Sequence, residues 1–95
     1  MGTEAVKSRL HMFSVYILFS LQWKRYYVGS TEDVETRLVQ HNKGLVRSTK
    51  LFKPWTLVHT ESFITRGEAI RREYQIKSYK GGCAFHKLLS QLPNT

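Results

Sequence analysis

From Phe13 to Phe19 the odd positions, Phe13, Val15, Ile17 and Phe19, are all apolar, while Ser14, Tyr16 and Leu18 occupy the alternate face. That period of two predicts a β-strand, with Tyr16 directed away from its more apolar side. Leu21-Gln22-Trp23-Lys24 reads as a turn into Arg25-Tyr26-Tyr27-Val28, a second short strand that would pair with the first as a hairpin. Tyr27 and Gly29 share one face of that strand, and the missing side chain at Gly29 leaves room for a close approach.

The apolar period then lengthens to that of a helix. Thr31 is placed to cap a helix with Glu32 and Asp33 in its first turn, and Gly44 is its natural stop. Val34 and Leu38 make the apolar stripe, with Arg37 and His41 one turn apart along an edge of it. A loop from Lys43 to Lys53 leads through Pro54 into a third strand, Trp55 to Thr60. Thr65-Arg66-Gly67-Glu68 has capping-box spacing and opens a second helix reaching Tyr79 or Lys80, ended by Gly81-Gly82. Its apolar arc holds Ala69, Ile70, Tyr74 and Ile76, and Glu73 falls near the centre of that arc, where a carboxylate calls for a reason. A last short helix, Ala84 to Leu89, supplies Phe85, Leu88 and Leu89 to the remaining core. The sum is an α+β (α/β sandwich-like) fold: a small three-stranded sheet, mixed or antiparallel, flanked by three helices.

A chain of 95 residues, 41% hydrophobic and 13% aromatic, has material for one compact core and is not a disordered tail. Residues 1–11 are polar and aperiodic and are expected to be a disordered or added N-terminal extension, with the domain over 12–92. Fifteen Lys and Arg against seven Asp and Glu give a net charge of +8, which attracts polyanions. No carboxylate falls between Thr36 and Thr60, a window that contains Arg37, Lys43, Arg47, Lys50 and Lys53. A solvated basic face is the plain alternative. Cys83 is the single cysteine, so an intrachain disulfide and a cysteine-rich zinc site are both excluded. No apolar run approaches the roughly 20 residues of a membrane span, and residues 1–11 do not contain the long apolar core of a secretory signal. A cytoplasmic, monomeric protein with a nucleic-acid partner and no membrane is the expectation.

Several segments carry a likeness in the right order: Val15-Tyr16-Ile17, Tyr27-Val28-Gly29-Ser30-Thr31, Arg37 to His41 through Gly44, Arg47-Ser48-Thr49-Lys50, Pro54-Trp55 and Glu68 to Glu73. Together they resemble the GIY-YIG nuclease superfamily over about 80 residues, Phe13 to Leu92. The likeness is to its small single-domain members, relatives of the N-terminal domain of the excinuclease C subunit. The resemblance implies phosphodiester hydrolysis with one divalent cation, Mg²⁺ or Mn²⁺, bound weakly without substrate. It places catalytic residues at Tyr16, Tyr27, Arg37 and His41, the metal ligand at Glu73, and Gly29 as a structural part of the motif. The glycine usual before the first tyrosine is absent, and where many catalytic members carry an asparagine this chain reads Phe85-His86-Lys87-Leu88.

The residue chemistry agrees with these roles while leaving others open. A single carboxylate with retained waters and a substrate phosphate is a common way to hold Mg²⁺, although Glu73 could instead pair with Lys77 at i+4. Arg37 offers a planar, permanently charged fork to a phosphate oxygen, or it could pair with Asp33. A phenol with a pKa near 10 is a weak base at neutral pH, so His41 is the natural proton acceptor, and tyrosine could act as base or only position water. Ordinary sheet packing would also explain both tyrosines, and an edge hydrogen bond would explain His41. Lys43, Arg47, Lys50 and Lys53 would hold the nucleic-acid backbone, DNA favoured over RNA. The main expectation is a divalent-metal-dependent endonuclease acting in DNA repair or processing. The alternatives are a non-cutting nucleic-acid-binding module and a small RNA- or ribosome-associated protein.

Overall fold

A computed structural model of the chain describes residues 11–90. The expected N-terminal extension, apart from His11, lies outside the described residues, as does the end of the domain beyond Ser90. His11 is exposed; its ring packs edge-on against Phe13, and its Nε2 lies 3.2 Å from Glu32.

The strands are β1 (Phe13–Ser20), β2 (Arg25–Thr31) and β3 (Thr56–Phe63), and the helices are α1 (Val34–Asn42), α2 (Arg66–Ser78) and α3 (Cys83–Leu89). A single turn of 3₁₀ helix, Lys50–Phe52, lies in the basic loop. The sheet order is β2-β1-β3, and both pairings are antiparallel. Being central, β1 is covered on both faces, and Val15, Tyr16, Ile17 and Leu18 are all essentially inaccessible. The alternation along β1 is real, yet it separates two cores and not a core from solvent.

One face packs Val15, Ile17 and Val28 against Ala69 and Ile76 of α2 and Phe85 and Leu88 of α3. The other packs Tyr16 and Leu18 against Trp55, with Tyr27, Val34, Leu38 and Phe52 around them. The domain is thus three-layered, with α1 and the basic loop on one side of the sheet and α2 and α3 on the other.

Several local expectations shift. Strand β2 continues through Thr31, so the cap of α1 is Asp33, whose carboxylate accepts from the Thr36 N–H and hydroxyl. Thr31 Oγ1 instead accepts the Asp33 N–H. Strand β3 starts after Trp55 and runs to Phe63, because Trp55 is buried by its own contacts before pairing begins. The capping box at Thr65 and Glu68 forms as expected. Tyr74, however, is 66% exposed and leaves the apolar arc of α2, which rests on Ala69 and Ile76.

Candidate active site

The polar face of the sheet is organised by Gly29. It pairs with Tyr16 across the hairpin, and a Cβ at Gly29 would lie 2.7 Å from the Tyr16 hydroxyl and 3.0 Å from the Tyr27 ring. Only a residue without a side chain lets the two phenols close over the strand. Tyr16 and Tyr27 then stand with ring centroids 6.1 Å apart, and both rings contact His41, at 5.8 and 4.8 Å.

His41 is fully buried where α1 meets the sheet. The reason is that the stripe of Val34 and Leu38 seats α1 on the Tyr16–Leu18–Trp55 cluster, so the residue one turn after Arg37 points inward. Its Nε2 is 3.0 Å from the Tyr16 hydroxyl and its Nδ1 is 2.7 Å from Thr49 Oγ1. Thr49, itself buried, also donates its hydroxyl to the Val46 carbonyl at 3.4 Å. If Thr49 spends its proton there, it must accept from Nδ1–H, which leaves Nε2 to accept from Tyr16. That proton placement is the Nδ1–H tautomer, with a directed chain from Tyr16 to His41 to Thr49 to Val46. Trp55 fixes the far end through its indole N–H to the Thr49 carbonyl at 3.1 Å. Asn42, the last residue of α1, clasps the Trp55 backbone with both ends of its amide.

This chain is electrically neutral at rest. Burial pushes the Tyr16 phenol up to about 12, with the Tyr27 phenol adding to the rise and Arg37 opposing it. Burial also pulls His41 down to about 4, helped by the Arg37 cation. Arg37 is half-buried, and its well-directed hydrogen bond goes to Gln40 at 3.0 Å, not to Asp33. Its guanidinium approaches the Tyr16 phenol, and that contact raises the Arg37 pKa further while burial works against it. A phenolate formed at Tyr16 would thus meet a fixed cation on one side and a neutral imidazole on the other.

Glu73 comes from α2, on the opposite face of the sheet, and reaches β2 at its edge. Its Oε1 accepts the Ser30 hydroxyl at 2.8 Å, one residue from Gly29. Its Oε2 lies 2.8 Å from Lys77 Nζ, so the intrahelical pair is present. A cleft of about 300 Å³ at this edge is lined by Tyr27, Val28, Ile76 and Lys77 among others, so Lys77, the partner of Glu73, borders space that Tyr27 also faces. Among the described residues no three His, Cys, Asp or Glu side chains cluster. A lone carboxylate oriented by a hydroxyl suits a hard cation that keeps most of its waters and takes phosphate oxygens, once the half-exposed Lys77 swings aside.

The structure thus gathers Tyr16, Tyr27, Arg37 and His41 on one face, and brings Glu73 to the same strand from the other. Lys43, Arg47, Lys50 and Lys53 are all exposed. Gly44, at φ +77°, turns the chain so that Lys50 and Lys53 fold back beside it at the end of α1. His86 is exposed on α3, while Phe85 beside it is core. Thr49, Asn42 and Ser30 had no assigned role in the sequence, since a hydroxyl or amide in a loop or at a helix end has many uses; only their partners single them out.

Paired tyrosines over a β-hairpin glycine, joined to an Arg-x-x-x-His helix, define a GIY-YIG type of domain. In agreement, the family model described as the GIY-YIG catalytic domain matches residues 12–82, and the chain belongs to that nuclease family. It is similar to a UPF0213 protein of Staphylococcus epidermidis, 43% identical over 54 residues, which are 56% of this chain and 66% of that one. A UPF0213 protein of Halobacterium salinarum is 51% identical over 53 residues, covering 55% of this chain and 69% of that one. The match to the staphylococcal protein thus spans just under two thirds of its length. The solution structure of a UPF0213 protein from Bacillus halodurans is 31% identical, covers 88% of this chain and 99% of that one, and superposes with a TM-score of 0.42. Among the described residues no helix is long and apolar enough to cross a membrane.

Proposed function

We propose that this protein is a divalent-metal-dependent endonuclease that hydrolyses DNA phosphodiester bonds, acting as a monomer in DNA repair or processing. The observation that carries the reading is the buried Tyr16–His41–Thr49 chain with Arg37 against the phenol, on the face that also bears the exposed basic loop. Ordinary sheet packing needs neither a buried histidine nor a cation beside two phenols. In the proposed reaction Arg37 takes a non-bridging phosphate oxygen, and its charge counts most as negative charge develops there. Tyr27 orients the attacking water, whose proton passes by way of the Tyr16 hydroxyl to the neutral His41 Nε2, and the same contact keeps Tyr16 in register with Arg37 and the phosphate. Glu73 would hold one Mg²⁺ or Mn²⁺, which when bound polarises the phosphate and assists the leaving oxygen. Lys43, Arg47, Lys50 and Lys53 hold the backbone without reading sequence.

The test is nicking of supercoiled plasmid with Mg²⁺ or Mn²⁺ by wild type, Arg37→Ala and Glu73→Ala. We expect wild type to nick and Arg37→Ala to lose roughly 10²- to 10³-fold. Nicking by Glu73→Ala at the wild-type rate would remove the metal assignment.

A second reading, a nucleic-acid-binding module that does not cut, is favoured by specific features. Tyr16 near 12 keeps its proton at neutral pH, His41 near 4 is a weak proton acceptor, and Lys77 holds the Glu73 carboxylate. Oligonucleotide binding without cleavage of any DNA or RNA form would select it.

A further inference from the structure

Trp23 has no part in the chemistry above, and its setting is unusual for a tryptophan. It is 50% exposed at the tip of the β1–β2 hairpin. Its backbone is fixed by the turn and its ring packs on one aromatic neighbour. Its backbone N–H donates to Ser20 Oγ at 3.3 Å, and the next residue, Lys24, takes a left-handed conformation with φ 54° that turns the chain back into β2. The indole meets Phe52 nearly at right angles, at 78° and 5.7 Å, so at least one of its faces is not covered by that ring. The Arg25 guanidinium lies 4.3 Å over the Phe52 ring and fixes it in turn.

Phe52 belongs to the basic loop and packs on the Tyr16–Leu18–Trp55 cluster, so Trp23 stands on the same side of the sheet as the candidate site. From Tyr16 to Ser20 along β1 is four residues, about 13 Å of strand. The surroundings carry one sign of charge. The seven carboxylates of the chain are Glu4, Glu32, Asp33, Glu35, Glu61, Glu68 and Glu73, so residues 5–31 and 36–60, which form the hairpin and the basic loop, contain none. Lys24, Arg25, Lys50 and Lys53 are all exposed there.

We propose that Trp23 is a stacking platform for an unpaired base, and that the strand the site engages is a single-stranded polynucleotide laid from the candidate site along the hairpin. The inference rests on the nucleic-acid reading of that site and names the form of its substrate. A half-exposed indole propped on Phe52, in a segment rich in cations and free of carboxylates, matches both parts of a single strand, a π-face on each base and a phosphate between bases. In an intact duplex both faces of every base are already stacked, so the same indole has nothing to receive. Sugar type does not enter the contact, so single-stranded DNA and RNA share the required chemistry.

The test is fluorescence anisotropy in EDTA, which separates binding from cutting, with labelled oligo-dT, oligo-U and a duplex of equal length. Trp23→Ala is expected to weaken single-strand binding by about tenfold to a hundredfold and duplex binding by less than about twofold. Trp23→Phe should retain much of the affinity, and Trp23→Leu, which keeps the apolar contact with Phe52, should not. Oligonucleotide should also quench the exposed tryptophan emission in wild type. Equal single-strand binding by wild type and Trp23→Leu overturns the platform while leaving the nucleic-acid reading intact. Equal losses for single strand and duplex overturn it as well, and failure of wild type to bind any of the three overturns both. Comparable binding of oligo-dT and oligo-U is expected, whereas strong discrimination between them would overturn recognition by base and phosphate alone.

Discussion

The two faces of the sheet bury similar strands by different means. Behind it, Val15, Ile17 and Val28 meet Ala69, Ile76, Phe85 and Leu88, an apolar contact that asks only for complementary volume. In front, Tyr16, His41 and Thr49 are equally inaccessible, yet each polar atom is spoken for by another, and among the described residues no buried side-chain nitrogen or oxygen lacks a partner. Removing a methylene behind the sheet costs packing. Removing a hydroxyl in front strands a buried partner and also changes which proton sits where. The first face stabilises the domain, and the second holds a site whose charge state depends on its burial.

That contrast can be broken from the largest effect down. Ile76→Ala, behind the sheet, should lower unfolding free energy by about 2–5 kcal/mol in urea titrations, while nicking per folded molecule stays within a few-fold. If that variant instead abolished nicking at full folding, the faces would not be separable. In front, His41 titrates well below its ordinary value, so the stability tied to its neutral form is complete above about 6.5 and is lost as pH falls towards about 4. Between pH 6.5 and 5 the loss from this group should approach about 2 kcal/mol, and it should vanish in His41→Gln. Urea midpoints that fall equally in both proteins would contradict a neutral buried imidazole.

Gly29→Ala should cost about 1–3 kcal/mol, because the new methyl meets the Tyr16 hydroxyl and the Tyr27 ring, both confined. Its nicking should fall by more than its stability explains. Thr49→Val leaves His41 Nδ1 without its acceptor, a comparable cost of about 1–3 kcal/mol. The imidazole should then show a changed tautomer balance by ¹⁵N chemical shift, and an unchanged balance would refute the assigned chain. Smallest of all, Lys77→Ala removes a partly exposed i,i+4 pair of about 0.3–0.5 kcal/mol. Its informative readout is Mn²⁺ binding in the absence of substrate, expected to tighten as Glu73 loses its competing cation.

What could be read from the chain follows the physics that each signal reports. The hairpin, the capping box at Thr65 and the stop at Gly44 are local, and all three stand. The cap of α1 moved to Asp33 because β2 gained partners through Thr31, a decision made across the sheet. Tyr74 left the apolar arc of α2 because no element covers that side of the helix, which a wheel drawn on one segment cannot know. Glu73 was recognisable as an anomaly, but its link to Ser30 was not, since the two lie 43 residues apart.

By itself the sequence determined the order and type of the elements, the surplus of positive charge, and the positions of Tyr16, Tyr27, Arg37, His41 and Glu73 within a recognisable series. These depend on periodicity, capping and residue identity, which act over a turn or a strand. Tertiary structure alone decided that Tyr16 and His41 share a hydrogen bond, that Thr49 orients the imidazole, and that burial keeps both groups neutral. Hydrogen-bond partners and desolvation are properties of what surrounds a group in space, and for the front of this sheet those surroundings are assembled from a hairpin, a helix and a loop that are distant along the chain.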